Sequence, residues 1–146
     1  MKKIFIGADH GGFELKSQLI PFIEDQGYEV LDLGPFNTES VDYPDYASKV
    51  ARKVSREINS IGVLICKSGI GVSISANKIK GIRAALVNNV LLAVLSRLHN
   101  NANVICFGSS FITVSEAQKS VLKFIKTDFE GGRHSKRVDK IKELEE

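Results

Sequence analysis

The stretch Ile65-Cys66-Lys67-Ser68-Gly69-Ile70-Gly71-Val72 brings a thiol, a hydroxyl and two glycines to the point where an apolar run gives way to a turn. A turn of that composition opening a helix can aim several backbone N–H groups at one point, where the positive end of the helix dipole also favours an anion. The chemistry on offer is an oxyanion or phosphate pocket. Cys66 stands at its lip, where converging donors and the Lys67 charge would favour the reactive thiolate. Cys66 also reads as a small apolar core residue at a strand end, and the turn alone leaves both readings open.

Three familiar chemistries fail on this turn. A P-loop needs a glycine just before its Lys-Ser pair, and Cys66 holds that place. A small cysteine phosphatase needs an arginine six positions after its nucleophile; the residue there is Val72, so a thiol-phosphate would lack its electrostatic clamp. A dinucleotide fingerprint needs a glycine spacing that Gly7-Ala8-Asp9-His10-Gly11-Gly12 does not supply.

Four other groups carry polar chemistry. Asp9 and His10 follow the first apolar run, where an imidazole can relay protons or, when charged, hold phosphate; a helix-capping Asp beside a surface His is the alternative. His99 and Asn100 fall at the end of an expected helix, where an ordinary C-terminal cap is equally compatible. Arg133 and Arg137, spaced i and i+4, share a face if the last helix begins by Gly132, and could then grip one phosphate or simply face solvent. His134 lies between them. No Cys/His/carboxylate set has metal-ligand spacing, so no metal is expected.

These groups must be positioned by the elements around them. Short β-branched runs alternate with helix-spaced stretches, the rhythm of repeated βαβ units. The strands predicted are Lys3 to Gly7, Tyr28 to Leu33, Ile61 to Cys66, Ile82 to Val87 and Asn103 to Gly108. The helices predicted are Gly12 to Gln26, Pro44 to Ile58, Val72 to Lys78, Asn89 to His99, Val114 to Lys126 and a last one at about 135–145. In the first helix Phe13, Leu15, Leu19, Phe22 and Ile23 should face inward, Gly27 should end it, and Pro21 predicts a kink or break. The expected fold is α/β: one domain over 1–146, a Rossmann-like, flavodoxin-like three-layer sandwich with a five-stranded parallel sheet. Ligands in such sheets gather outside the strands' carboxyl ends, which is where Asp9, His10 and the Cys66 to Gly71 turn fall.

At 146 residues with 43% hydrophobic content the chain can fill one core. A net charge of +3 without a Lys/Arg stripe argues against a nucleic-acid partner. Cys66 and Cys106, both in apolar surroundings, suggest no disulfide framework. Ile4, Phe5 and Ile6 are too short a run for a signal core or membrane span, and a cytoplasmic protein without a membrane partner is expected.

The segments Gly7-Ala8-Asp9-His10-Gly11-Gly12-Phe13, Asp42-Tyr43-Pro44, Cys66-Lys67-Ser68-Gly69-Ile70-Gly71, Gly81-Ile82-Arg83-Ala84, His99-Asn100 and Gly131-Gly132-Arg133-His134 together resemble the type B ribose-5-phosphate isomerases, over almost the whole chain. That resemblance implies a metal-free, cofactor-free homodimer, with a tetramer as the alternative, that interconverts ribose 5-phosphate and ribulose 5-phosphate through an enediolate in the pentose phosphate pathway. Relatives act on the six-carbon allose and galactose 6-phosphates. It implies Cys66 as the base between C1 and C2, with Ser68 and the Gly69, Ile70 and Gly71 backbone at the oxyanion. His99 and Asp9 would open the furanose ring. His10, Arg133 and Arg137 would hold the phosphate, and Asn100 would position the sugar from the neighbouring subunit. Two positions depart from the pattern: Lys67 replaces a customary glycine, and Ser110 stands where many members carry arginine. Competing readings are a noncatalytic phosphate- or nucleotide-sensing module and a receiver-like domain; the latter needs an acidic phosphoacceptor where this chain has Cys66-Lys67.

Overall fold

A computed structural model describes residues 2–145. Along the chain β1 (Lys3–Ala8), α1 (Phe13–Asp25), β2 (Glu29–Asp32), α2 (Tyr43–Arg56), β3 (Ser60–Cys66), α3 (Ile70–Asn77), β4 (Ala84–Leu86), α4 (Val90–Asn100), β5 (Val104–Gly108) and α5 (Val114–Lys126) alternate, and α6 (Arg133–Glu143) closes the chain. The strands form one parallel sheet in the order β2-β1-β3-β5-β4. All seven residues of the central β3 are buried, which explains its uninterrupted apolar sequence.

Side chains leave the sheet on alternate faces. On one face Ile4, Ile6, Val63, Ile65, Ile105 and Phe107 pack against Leu15, Leu19 and Ile23 of α1 and Ala117, Val121 and Phe124 of α5. On the other, Phe5, Leu64, Cys66, Val104 and Cys106 meet Ala47, Val50, Ala51 and Val54 of α2 and Val72 and Ala76 of α3. The α2 set follows the i, i+3, i+4, i+7 stripe that buries one helix face. Each fully buried aliphatic side chain here contributes about 1.5–3 kcal/mol.

Pro21 does not break α1, which remains helical from Phe13 to Asp25. The proline removes the bond to the Ser17 carbonyl, but Ser17 and Pro21 are both exposed, so water can take that acceptor while Leu19 and Ile23 keep the inner face packed. The expected inward set is also altered. Phe13 and Phe22 are only half-buried, and Lys16 is buried instead. Its ammonium donates to both carboxylate oxygens of Asp32 at 2.7 and 2.8 Å and to the Pro35 carbonyl at 2.7 Å, with the Phe13 and Phe36 rings 5.3 and 5.4 Å away.

Two helices start two residues earlier than predicted. α3 begins at Ile70 because Gly69, at φ 79°, turns the chain straight out of the strand. α6 begins at Arg133 because Gly131 and Gly132, at φ 72° and 55°, make the reversal just before it. No helix among the described residues is long and apolar enough to cross a membrane.

This topology sets two working edges. Ala8, Cys66 and Gly108 end neighbouring strands at the carboxyl edge of the sheet. A helix that follows a parallel strand must return the chain to the opposite edge. Asn103, just after α4, accordingly accepts from Gly62 N–H near the start of β3 at 2.9 Å.

Candidate active site

At the carboxyl edge Asp9, Tyr43, Cys66, Lys67, Ser68, Ile70, Gly71 and Ile74 line an open cleft of about 400 Å³. Cys66 is 5% exposed, so its sulfur is largely covered while still bordering the cleft. Gly69 N–H donates to Cys66 Sγ at 3.2 Å and fixes its direction. Ile70 N–H donates to Ser68 Oγ at 3.2 Å. Gly71 lies in the first turn of α3, where amides have no partner four residues back, so its donor is the one of the three without a side-chain acceptor in the turn.

The turn can be this tight because of what surrounds it. A side chain on Gly69 would come within 2.4 Å of Leu86 Cδ1 and 2.9 Å of Gly108 N, so the turn packs directly onto the end of β5. A side chain on Gly71 would lie 2.5 Å from Tyr43 Cε1, which places that ring against α3 at the cleft wall. Tyr43 and Ile74 were not singled out as site residues. Tyr43 belongs to the Asp42-Tyr43-Pro44 segment of the family resemblance, which gave it no role, and Ile74 has no signal beyond its place one turn into α3.

Asp9 is buried, and its Oδ1 accepts from Gly12 N–H at 3.1 Å while Oδ2 has no hydrogen bond among the described residues. Asp9 thus holds the turn that leads into α1, whose N-cap is Gly12, and it lines the cleft. His10, next to it, is exposed and lies outside the cleft lining; Val41 N–H donates to its Nδ1 at 3.2 Å, so a neutral ring carries its proton on Nε2.

The remaining candidates form a second group. His99, at the end of α4, stacks on His134 of α6 with ring centroids 4.4 Å apart and planes 16° from parallel. Glu130 Oε2 lies 4.0 Å from the Nε2 atoms of both. Glu130 N–H, bonded to the Leu98 carbonyl at 3.1 Å, anchors the reversal that brings α6 onto α4. His134 is buried, and that burial, then the charges of His99 and Arg133, hold its pKa below the usual imidazole value; Glu130 opposes them. His99, Glu130 and His134 are ligand-type residues with donor atoms within 4.8 Å of one another. A metal binds in the plane of each imidazole, and two near-parallel stacked planes do not meet at one ion, so this arrangement suits stacking rather than a shared metal. Arg133 and Arg137 are exposed on the same helix, and Asn100 borders a separate cavity of about 770 Å³.

One chain therefore holds its candidates in two places. Asp9 and the Cys66 turn sit at the carboxyl edge; His99 and Asn100 sit where α4 has carried the chain back to the amino edge, and His134 stacks there with Arg133 beside it. With β3 seven residues long, those edges are about 20 Å apart. The second thiol belongs to neither group: Cys106 is fully buried, and burial, then Cys66, push its thiol pKa well up, leaving it inert.

A parallel α/β sheet with a thiol beside an amide-bearing turn in a cleft at its carboxyl edge is the arrangement of an α/β enzyme. Residues 4–141 match the Ribose/Galactose Isomerase family, and the chain belongs to it. It is 50% identical over 139 residues to a probable ribose-5-phosphate isomerase B of Mycoplasma pneumoniae, covering 94% of this chain and 91% of that protein. It is 43% identical over 146 residues to ribose-5-phosphate isomerase B of Escherichia coli, covering 100% and 98%. Among solved structures it resembles Clostridium thermocellum ribose-5-phosphate isomerase B with a TM-score of 0.96 at 46% identity, covering 99% and 97% of the two chains. The Mycoplasma genitalium enzyme, solved with bound ribulose-5-phosphate, matches with a TM-score of 0.95 at 46% identity, covering 99% and 96%.

Proposed function

We propose that this chain, as a single isomerase domain over 1–146, interconverts ribose 5-phosphate and ribulose 5-phosphate. The observation that carries the reading is the Cys66 sulfur at the cleft wall, aimed by the Gly69 amide, with a helix N-terminus opening beside it. Family membership and the ribulose-5-phosphate held by the Mycoplasma genitalium relative support the substrate.

Ring opening moves a proton off the anomeric hydroxyl and places one on the ring oxygen as the C1–O4 bond breaks, with Asp9 and His99 as the groups exchanging those protons. Cys66 thiolate then takes the C2 proton. The C–H pair becomes the C1–C2 double bond and the carbonyl pair moves to O1. Ser68 and the Gly69 to Gly71 backbone face that developing charge, and one such preorganised donor is worth about 3 kcal/mol. The O2 proton passes to O1, and the Cys66 thiol returns its proton to C1, leaving the ketone at C2. Every proton in this sequence is carried by the chain or the sugar, so the scheme calls on no cofactor. His10, Arg133 and Arg137 would hold the phosphate away from the reacting carbons, supplying orientation.

We also propose that the protein is cytoplasmic and works as a homodimer, which could pair into tetramers; the separation of its candidates at two sheet edges supports an arrangement in which His99, Asn100, Arg133 and Arg137 of one subunit complete the Cys66 cleft of the other. The test is isomerisation of ribose 5-phosphate, allose 6-phosphate and galactose 6-phosphate by the native protein and by Cys66→Ala. We expect the pentose to be preferred and Cys66→Ala to lose about 10³-fold or more in kcat while still binding sugar phosphate. Preference for a hexose phosphate would move the assignment to a six-carbon isomerase. Undiminished turnover by Cys66→Ala would remove the base.

A further inference from the structure

We propose that Lys67 is a further substrate-binding residue whose ammonium binds the phosphate of the substrate; the proposal rests on the isomerase reading above and adds a residue to it. Lys67 is the one lysine or arginine among the residues lining the Cys66 cleft. Its side chain is exposed, and its ammonium has no ion pair or hydrogen bond among the described residues, so the charge is uncommitted.

The root of that side chain is held firmly. Ser110 N–H donates to the Lys67 carbonyl at 3.1 Å, and Ser109 N–H to the Cys66 carbonyl at 2.9 Å. Ser109 Oγ in turn donates to the Gly11 carbonyl at 2.8 Å. A Cβ on Gly11 would sit 3.4 Å from Lys67 Cβ and 3.4 Å from Lys67 N, so Lys67 leaves the turn directly beside the Asp9-His10-Gly11 loop. The Gly71 amide lies further along the same turn, in α3. Lys67 is thus rooted beside the His10 loop and the Gly71 donor lies on α3, which suits an oxyanion at the helix end and a phosphate at the lysine end.

A cation at that position improves the charge balance of the cleft. Asp9 places a carboxylate in the same cleft, and a phosphate entering alone would be repelled. Arg133 lies with His134 at the opposite edge of its own chain, so among the described residues lining the cleft within one subunit Lys67 is the one permanent cation, and it would add to the Arg133 and Arg137 that the dimer reading brings from the other subunit. A compact ammonium on a flexible stem acts as a point charge for phosphate without needing the fixed fork of arginine.

The test compares native protein, Lys67→Met and Lys67→Arg by steady-state kinetics with ribose 5-phosphate and by competitive inhibition with inorganic phosphate. Lys67→Met should raise both KM and the phosphate Ki by about tenfold or more, with kcat changing far less, and Lys67→Arg should recover most of the loss. A fall in kcat with the phosphate Ki unchanged would overturn the proposal and put Lys67 at the oxyanion, and unchanged KM and Ki would overturn it outright. Phosphate binding by calorimetry is also compared between Cys66→Ala and the Cys66→Ala/Lys67→Met double variant. That readout needs no turnover, so the role of Lys67 is decided even if Cys66 proves not to be the base.

Discussion

His134 shows how a residue can matter through what it holds. Its ring lies flat against His99 and is buried. Folding disfavours its charged form, because burial first and then the neighbouring His99 and Arg133 charges hold its pKa down. The unfolded chain protonates near the ordinary value of about 6.5. Stability from this residue is therefore fully present above about pH 6.5 and is lost as pH falls, since the unfolded state takes the proton first. His134→Phe keeps a flat ring and removes the titration. The drop in urea midpoint between about pH 7.5 and about pH 5.5 should be smaller in that variant than in the native protein. Equal drops would mean that folding does not disfavour the charged form of His134.

Among the elements, the least obvious support is the link from α1 to the loop after β2. Lys16, 1% exposed, ties α1 to Asp32 and to the Pro35 carbonyl, and Asp32 Oδ1 also accepts from Gly34 N–H at 2.9 Å. Gly34 in turn accepts from Ala8 N–H at 3.1 Å, and further along the same loop Val41 N–H reaches His10. A buried cation thus fastens the segment that orients a proposed phosphate ligand. Lys16→Met leaves the Asp32 carboxylate without its counter-charge. Because the Asp32 side chain is 28% exposed, the cost should be about 2–3 kcal/mol, at or below the lower end for a broken buried pair. Urea unfolding measures it, and an unchanged midpoint would show that the pair contributes nothing net.

At the scale of the molecule, parallel topology separates the proposed base from the proposed ring-opening group. Cys66 ends a strand and His99 ends a helix, so one chain holds them at opposite sheet edges. A two-fold dimer can bring them together by pairing the carboxyl edge of one subunit with the amino edge of the other. Inactive Cys66→Ala and inactive His99→Asn subunits should then restore activity when mixed. Each heterodimer has one site with both residues intact and one with both altered, so turnover should reach about half of the native value per dimer. Verified heterodimers without activity would place both residues of a site in the same chain.

The sequence alone determined the alternation of strands and helices, because β-branched runs and helix-spaced stripes report directly on the surfaces they bury. α5 falls where it was predicted, and β3 differs by one residue. The Cys66 turn was equally legible, since a strand ending in closely spaced glycines is a local signal. Lys16 was not: its charge marks it for solvent, and only the approach of Asp32 and Pro35 makes burial tolerable. Pro21 misled for the converse reason, because a local rule cannot say that the affected carbonyl faces water. Tertiary structure alone decided that the candidate residues fall into two groups at opposite edges. Strand and helix lengths set how far the chain travels, but sheet order and helix return set where it arrives.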